Sequence, residues 1–222
     1  MRGRLIVIEG TDGSGKSTQF GQLCQRLDAM GQGYKKLVFP QYQEPSSALI
    51  RMYLGGECGS HPGDVNPYAA SAFYAVDRYA SLNKVWGAYS DGGGLVLTDR
   101  YTTSNAVHQG AKCPEGERTA FLRWLDDFEH DKLGLPRPDL VLYLDMPTEK
   151  SVELLRGRES ATHTKADIHE LDTEYLATCR ACAHQAIGEL GWKRISCLDR
   201  EGQLRSIQEI HQEIWSLVTP LL

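Results

Sequence analysis

RLIVIEGTDGSGKST, residues 4–18, is the stretch that decides the fold of this chain. An apolar, strand-like segment leads through a glycine-broken loop into a helix-like segment, and Gly10, Gly15, Lys16 and Ser17 match the phosphate-binding pattern G-x-x-x-x-G-K-[ST]. In this pattern backbone N–H groups surround a phosphate, the lysine reaches the β- and γ-phosphates, and the serine or threonine hydroxyl binds Mg²⁺. The alternative, a glycine turn that only links strand to helix, requires neither the lysine nor the spacing. The residues predicted to bind the nucleotide are Gly10, Thr11, Asp12, Gly13, Ser14, Gly15, Lys16, Ser17 and Thr18.

Length and composition bound the class of protein. The 222 residues suffice for one well-buried α/β domain, and no repeat or low-complexity linker divides them, so we expect a single domain over residues 1–222. Acidic residues exceed basic ones by 29 to 24, which disfavours nucleic acid as a partner. Because no uncharged apolar stretch reaches about eighteen residues and no signal-peptide pattern opens the chain, we expect a cytoplasmic protein without membrane contact.

The six cysteines are scattered through the chain and are predicted to be free thiols. Cys179 and Cys182 form a C-x-x-C spacing inside a helical pattern. No second pair completes a zinc site, so a metal or redox role is disfavoured.

The order of elements predicts a parallel sheet. Strand-like segments are the apolar run before the loop and residues 36–39, 94–100, 139–145 and 193–199. Helical patterns cover residues 16–30, a segment opened by Ser46 or Ser47, 67–89 with Asn66 as cap, a segment after 101, and 117–130, 148–155, 171–190 and 204–218. Strands alternating with helices predict a five-stranded parallel sheet with helices on both faces.

Polar side chains follow the central strand at 94–100. Asp99 and Arg100 end this strand, where open α/β sheets place their ligands. In the next segment Asn105, His108 and Gln109 fall on one helical face. We therefore expect these residues at the ligand site.

A second candidate pair lies on the helix predicted over residues 67–89. Tyr74 and Arg78 are four residues apart and share one face, which places a ring beside a guanidinium. The alternative is a partly buried tyrosine next to a solvated arginine.

The polar stretch at residues 156–170 carries basic side chains, including Arg156, Arg158 and Lys165. Such a stretch is usually a mobile surface loop, but a phosphoryl-transfer enzyme also uses a mobile basic loop as a lid.

Several motifs together resemble the thymidylate kinase family. They are EGTDGSGKST at 9–18, FPQY at 39–42, FYAVDR at 73–78, TDRYTTSNAVHQGAK at 98–112 and PDLVLYLD at 138–145. The resemblance implies a three-layer α/β/α P-loop NTPase fold, with transfer of the γ-phosphoryl group of ATP to dTMP. It also implies Mg²⁺ as cofactor and a homodimer.

The resemblance further assigns the acceptor site. The substrate-binding residues it implies are Phe39, Pro40, Tyr42, Phe73, Tyr74, Arg78, Arg100, Asn105, His108 and Gln109. Tyr74, or its neighbour Phe73, would stack on thymine, while Arg78 would bond a base carbonyl. Asn105 and Gln109 would read the remaining edge of the base. His108 stands where relatives often place an aromatic ring beside the sugar.

For phosphoryl transfer the resemblance implies Lys16, Arg100, Asp12, Arg156 and Arg158 as catalytic residues. Asp12 would accept from the 3′-hydroxyl of the nucleotide, and the residues implied at Mg²⁺ are Ser17 and Asp99.

Two departures from the family pattern shift the expected charges. Gly13 and Ser14 stand where some relatives carry a loop arginine, so the basic lid would supply that charge. Gln41 stands where relatives carry an arginine that contacts the acceptor phosphate, so Arg100 and Arg51 are the arginines expected to take that role.

Two other functions stay open on the sequence. A kinase for another nucleotide or for a deoxynucleoside has the same loop. A nucleotide-binding regulator without turnover would retain the loop, but it would not need the complete set of Lys16, Ser17, Asp99 and Arg100.

Overall fold

The computed structural model describes residues 2–162 and 173–222, including all side chains in these ranges except those of residues 62 and 158–162. Within these ranges the strands are β1 (Leu5–Glu9), β2 (Tyr34–Val38), β3 (Leu95–Asp99), β4 (Leu140–Asp145) and β5 (Lys193–Ser196). They form one sheet in the order β2-β3-β1-β4-β5, and every neighbouring pair is parallel. The predicted five-stranded parallel sheet is confirmed.

Helices connect the strands. The α-helices of the described residues are α1 (Lys16–Ala29), α2 (Ala48–Leu54), α3 (Pro67–Ser81), α4 (Gly87–Asp91), α5 (Thr102–Ser104), α6 (Arg118–Asp126), α7 (Thr148–Thr162), α8 (Thr173–Leu190) and α9 (Ile207–Val218). π-helical turns follow α3, α5 and α6 at Leu82–Trp86, Asn105–Gln109 and Asp127–Lys132. Short 3-10 helices lie at Pro45–Ser47, Pro62–Asp64, Gly110–Lys112, Glu115–Glu117 and Thr219–Leu221.

Two cores cover the two faces of the sheet. Because successive strand residues point to opposite faces, Leu5 and Val7 of β1 pack in one core and Ile6 and Ile8 in the other. The first core contains residues of α6 and α8, and the second contains residues of α1 and α9. This is the predicted three-layer α/β/α arrangement, and it places the loop between β1 and α1 at the carboxyl edge of the central strand.

The ends of several elements differ from their predictions. β2 begins at Tyr34 rather than residue 36, because an edge strand tolerates partly exposed lysines that conceal its pattern. Asn66 caps α3 as predicted, since its Oδ1 accepts from the Tyr68 N–H at 2.8 Å. Ser47 is the N-cap residue of α2, so the prediction that Ser46 or Ser47 opens this helix is confirmed in position. Its side chain makes no cap bond, because the Ser47 hydroxyl donates to the Glu44 carbonyl, and that of Ser46 donates to Asp77 Oδ1.

The predicted end of the helix near residue 155 is also wrong. α7 continues to Thr162, so residues 156–162 of the predicted surface loop are helical. This helix lacks a strong apolar face, but its glutamate, leucine, arginine and alanine residues have high helix propensity, which a search for apolar periodicity does not detect.

All six cysteines are free thiols, as predicted. Cys179 and Cys182 are both buried in α8. None of the helices described is long and apolar enough to cross a membrane.

Candidate active site

One cleft at the carboxyl ends of the central strands gathers most of the predicted site residues. Its volume is about 530 Å³. The predicted residues that line it are Asp12, Gly13, Gly15, Lys16, Ser17, Thr18, Phe39, Pro40, Tyr42, Tyr74, Arg78, Asp99, Arg100, Asn105, His108 and Gln109. The loop residues Gly10, Thr11 and Ser14 are buried and do not line the cleft. Phe73 does not line it either, whereas Tyr74 does. Of the two candidate stacking rings, Tyr74 is thus the one at the cavity.

The phosphate loop follows β1, and several of its residues have backbone conformations that favour glycine. Gly13 has a φ of 77°, and a Cβ there would lie 2.3 Å from the carbonyl oxygen of Ser151. Gly15, with a φ of 85°, is the residue from which α1 begins. Gly15, Lys16 and Ser17 line the cleft, so the positive end of the α1 dipole faces it.

Lys16 is buried in the loop. Its Nζ donates to the Thr11 carbonyl at 3.0 Å and lies 3.5 Å from Asp12 Oδ1. Burial lowers the pKa of Lys16, and the charge of Arg100 lowers it further, against the opposing effect of the nearby carboxylates. A phosphate bound next to the Lys16 ammonium would offset the cost of burying this charge.

Arg100 is held by groups from three segments of the chain. It has a φ of 66°, unusual for a residue other than glycine, and its Nη2 donates to Asp12 Oδ1. Its Nη1 lies 3.2 Å from Ser104 Oγ, 3.1 Å from His108 Nε2 and 3.5 Å from Glu9 Oε1. Burial alone lowers the pKa of Arg100, but the charges of Asp12 and Glu9 raise it above its ordinary value. The guanidinium is therefore a fixed positive charge at the end of β3.

Glu9 is a site residue that sequence reasoning missed. It is fully buried, and its Oε2 accepts from Thr103 Oγ1 at 2.6 Å and from Ser104 Oγ at 2.7 Å. Its Oε1 accepts from the Gly10 N–H at 3.0 Å. The carboxylate thus ties the phosphate loop to α5. The sequence feature that could have identified Glu9 is its position as a carboxylate at the end of an apolar strand, the same feature that identified Asp99.

Asp99 has an unsatisfied oxygen. Its Oδ1 is buried without a hydrogen-bond partner among the described residues, and burial raises the pKa of this carboxyl. Ser17 lines the same cleft and is exposed. Both groups are oxygen donors, which suits a hard divalent cation. Among the described residues no group of three or more His, Cys, Asp or Glu side chains is placed to hold a metal ion, so such a cation would take most of its ligands from water and phosphates.

Arg78 and Asn105 both line the cleft and share the carboxylate of Glu129 as a partner. The alternative of a solvated Arg78 is wrong, because this side chain is only 2% exposed and Glu129 binds it through two hydrogen bonds, of 2.7 Å at Nε and 2.6 Å at Nη2. The Nδ2 of Asn105 donates to Glu129 Oε1 at 2.8 Å and to the Ser71 carbonyl at 3.1 Å. Glu129 was not predicted, because its segment reads as an amphipathic core helix.

The FPQY segment is attached to α3 by Asp77, another residue that sequence reasoning missed. This buried carboxylate accepts from the Gln41 N–H at 2.8 Å and from Ser46 Oγ at 2.6 Å. Arg51 donates to the Tyr42 carbonyl at 2.7 Å and does not line the cleft. The position of Arg51 therefore does not support a role at the acceptor phosphate, and of Arg51 and Arg100 only Arg100 lines the cleft.

The predicted lid falls only in part within the described residues. Arg156 is exposed on α7 and does not line the cleft, whereas Leu154 and Leu155 of the same helix do. The side chain of Arg158 and the whole of Lys165 lie outside the described residues.

Comparison with known proteins gives one consistent result. The thymidylate kinase family model matches residues 8–214 of this chain. Thymidylate kinase of Mycobacterium tuberculosis (strain ATCC 25618 / H37Rv) is 32% identical over 190 residues, which cover 85% of this chain and 87% of the relative. The human thymidylate kinase is 28% identical over 215 residues, covering 96% and 88%. Thymidylate kinase from Candida albicans shares the fold, with a TM-score of 0.70 and 21% identity over 99% of this chain and 92% of its own.

Proposed function

This chain belongs to the thymidylate kinase family, and we propose that its cleft transfers the γ-phosphoryl group of ATP to dTMP, giving ADP and dTDP for the synthesis of dTTP. The observation that carries the proposal is that the phosphate loop shares one cleft with side chains whose hydrogen-bonding groups complement thymine. The donor phosphates would occupy the loop at the start of α1, and the acceptor base the end formed by Arg78 and Asn105.

The polarity of the acceptor end supports thymine as the base. Arg78 has five N–H groups, of which three bind Glu129 and the Tyr101 carbonyl, so that two are left to donate to a carbonyl such as thymine O4. Asn105 uses its Nδ2 on protein acceptors, which leaves Oδ1 to accept the N3–H of thymine. Cytosine would present an amino group to Arg78 and a bare nitrogen to Asn105 Oδ1. Tyr74 would stack on the base, and Gln109, whose Oε1 is buried without a partner in the described part of the chain, would complete the polar edge.

Phosphoryl transfer needs positioning and charge neutralisation, and no base is required because the acceptor phosphate oxygen is already a nucleophile. Lys16 and the loop N–H groups would bind the β- and γ-phosphates. Arg100 would neutralise charge between the two nucleotides, and His108 would lie beside the sugar. Asp12, which now accepts from Arg100, would also accept from the 3′-hydroxyl of the nucleotide.

Mg²⁺ fits the unsatisfied oxygen of Asp99 and the exposed hydroxyl of Ser17, which would hold it, Asp99 through water. When bound, the ion supplies neutralisation of phosphate charge. The Ser17 hydroxyl and the Asp99 carboxylate would hold the ion beside the phosphate loop.

Residues 156–170 are proposed as the lid, with Arg156, Arg158 and Lys165 as its cations. The need for them follows from Gly13 and Ser14, since the loop carries no arginine at these positions. Closure would exclude water from the transferring group.

A homodimer through α3 is also proposed. Tyr68, Val76 and Tyr79 lie on one side of this helix and are 42%, 51% and 46% exposed, so three large apolar side chains are grouped on one exposed face. Val76→Glu should shift the mass measured by analytical ultracentrifugation from dimer to monomer. Val85→Glu, in the turn after α3, is the comparison variant and should leave the mass unchanged. We place the enzyme in the cytoplasm, in keeping with its free thiols.

Release of ADP with ATP and Mg²⁺ tests the proposal. dTMP, dUMP, dCMP, AMP, CMP and thymidine are offered at equal concentration, with Lys16→Met as the control for contaminating kinases. We expect turnover with dTMP above all others and none with thymidine. Turnover with another acceptor but not with dTMP would overturn the assignment of the substrate.

A further inference from the structure

Glu129 connects the two side chains at the acceptor end of the cleft. It lies in the π-helical turn after α6, 51 residues from Arg78 and 24 from Asn105 in sequence. Its Oε1 accepts from both Arg78 Nη2 and Asn105 Nδ2, and its Oε2 accepts from Arg78 Nε. Glu129 is fully buried and does not line the cleft.

We propose that Glu129 is the positioning residue that makes the site select a thymine-type base edge over a cytosine-type edge. This inference rests on the proposed function, because it concerns how the acceptor site chooses its base. It assigns to Glu129 a role without contact to the substrate.

The first argument is the orientation of the Asn105 amide. A side-chain amide can present either its oxygen or its NH₂ to a ligand, and its own chemistry prefers neither. A carboxylate only accepts, and so does the carbonyl of Ser71, so both neighbours require the Nδ2 of Asn105. The oxygen is thereby left as the group available to a base, because a reversed amide would bring Oδ1, an acceptor, against two oxygens that also only accept.

The second argument is the charge of Arg78. A guanidinium that is 2% exposed needs a counter-charge, because an unpaired buried charge is strongly unfavourable. The two parallel bonds to Glu129 supply this charge and fix the plane of the guanidinium. The remaining N–H groups then have a set direction, so one carboxylate determines the donor and the acceptor of the recognition edge together.

Glu129→Gln tests the proposal with little change of volume. Glutamine replaces one acceptor by a donor, so either Arg78 loses one of its two bonds or the Asn105 amide is forced to turn. We expect the ratio of kcat/KM for dTMP to that for dCMP to fall by at least about tenfold, mainly because KM for dTMP rises while kcat changes less than about threefold.

Asp145→Asn is the matched control. Asp145 is also a buried carboxylate, bound by Arg180 at 2.7 Å and by Arg194 at 2.5 Å, but it does not contact the cleft residues Arg78 and Asn105. Its removal should lower stability and leave the dTMP to dCMP ratio within about twofold. A Glu129→Gln enzyme with the wild-type ratio and wild-type KM for dTMP would overturn the proposal, and so would an equal change of ratio in Asp145→Asn.

A measurement on the wild type covers the case in which Glu129→Gln does not fold. The side-chain N–H groups of Asn105, assigned by NMR through their loss in Asn105→Asp, should be protected from hydrogen exchange in the free protein. Exchange as fast as that of the exposed Asn66 side chain would contradict the orientation from which the proposal is derived. If the proposed function itself is incorrect, the wild-type enzyme will show no turnover with dTMP. This outcome is distinguishable from a negative result with Glu129→Gln or in the hydrogen-exchange measurement.

Discussion

The Nη1 of Arg100 lies 3.1 Å from the Nε2 of His108. Arginine can only donate, so His108 accepts through Nε2 and carries its proton on Nδ1, which faces Cys179 Sγ at 3.7 Å. The hydroxyl of Tyr175 donates to the backbone carbonyl of His108 at 2.6 Å. A neutral imidazole that is contacted by Tyr175 and Cys179 of α8 therefore helps to orient Arg100, which lines the cleft.

Replacing His108 should reveal this role. His108→Phe keeps a ring but removes the acceptor, and we expect kcat with dTMP to fall by about tenfold because Arg100 is less well positioned. His108→Gln can place an oxygen near the position of Nε2 and should retain kcat within about threefold. Steady-state kinetics of the two variants checks this, and equal values of kcat would show that hydrogen-bond acceptance by His108 does not matter.

Asp99 provides a test of the proposed Mg²⁺ site. Asp99→Asn removes the charge next to the cation, so the Mg²⁺ concentration for half-maximal rate should rise by about tenfold while KM for dTMP stays nearly constant. Asp145→Asn is the control, because Asp145 likewise ends a strand but already binds arginines. An unchanged Mg²⁺ dependence in Asp99→Asn would remove this residue from the site.

Lys112 should make stability depend on pH in the alkaline range. Burial lowers its pKa to about 8, while its Nζ donates to the hydroxyl of Tyr53 at 2.7 Å. Between pH 8 and the ordinary lysine value of 10.5 the unfolded chain retains a proton that the folded chain has released, so the free energy of unfolding should rise with pH in this window. The penalty for burying the charge is fully present below pH 8.

Urea unfolding at two pH values measures this effect. From pH 8 to pH 9.5 we expect the wild type to gain on the order of 1 kcal/mol relative to Lys112→Met. The exposed Lys193→Met should follow the wild type. Parallel pH profiles for wild type and Lys112→Met would contradict the assignment.

The lid proposal predicts a separation of turnover from binding. Arg156→Ala combined with Arg158→Ala should lower kcat by about a hundredfold, as expected when groups that stabilise transition-state charge are removed, and should change the affinity for dTMP far less. Lys150→Ala on the same helix removes a cation that is already paired with Glu153 at 2.9 Å. Its kcat should remain close to that of the wild type, and near-normal kcat in the double variant would exclude the lid arginines from the mechanism.

The sequence by itself determined the features that depend on short stretches of chain. Alternation of strand and helix patterns, the loop at residues 10–18 and the Asn66 cap all follow from local periodicity and local hydrogen bonding. So does the location of the cleft, because the carboxyl ends of parallel strands meet at one edge of a sheet. Asp99 and Arg100 were identified for this reason.

Only the tertiary structure decided which polar groups meet inside the protein. Glu9 stands at the end of a buried strand, which marks it as polar at the ligand edge but does not show its partners. Glu129 occupies a polar position on an amphipathic helix, and both carboxylates are fully buried. A buried carboxylate is stable only when donors from elsewhere in the chain surround it, and such partners leave no local pattern in the sequence. Glu129 binds Arg78, which is 51 residues away in sequence, so the orientation of the Arg78 guanidinium follows from a contact that folding alone creates.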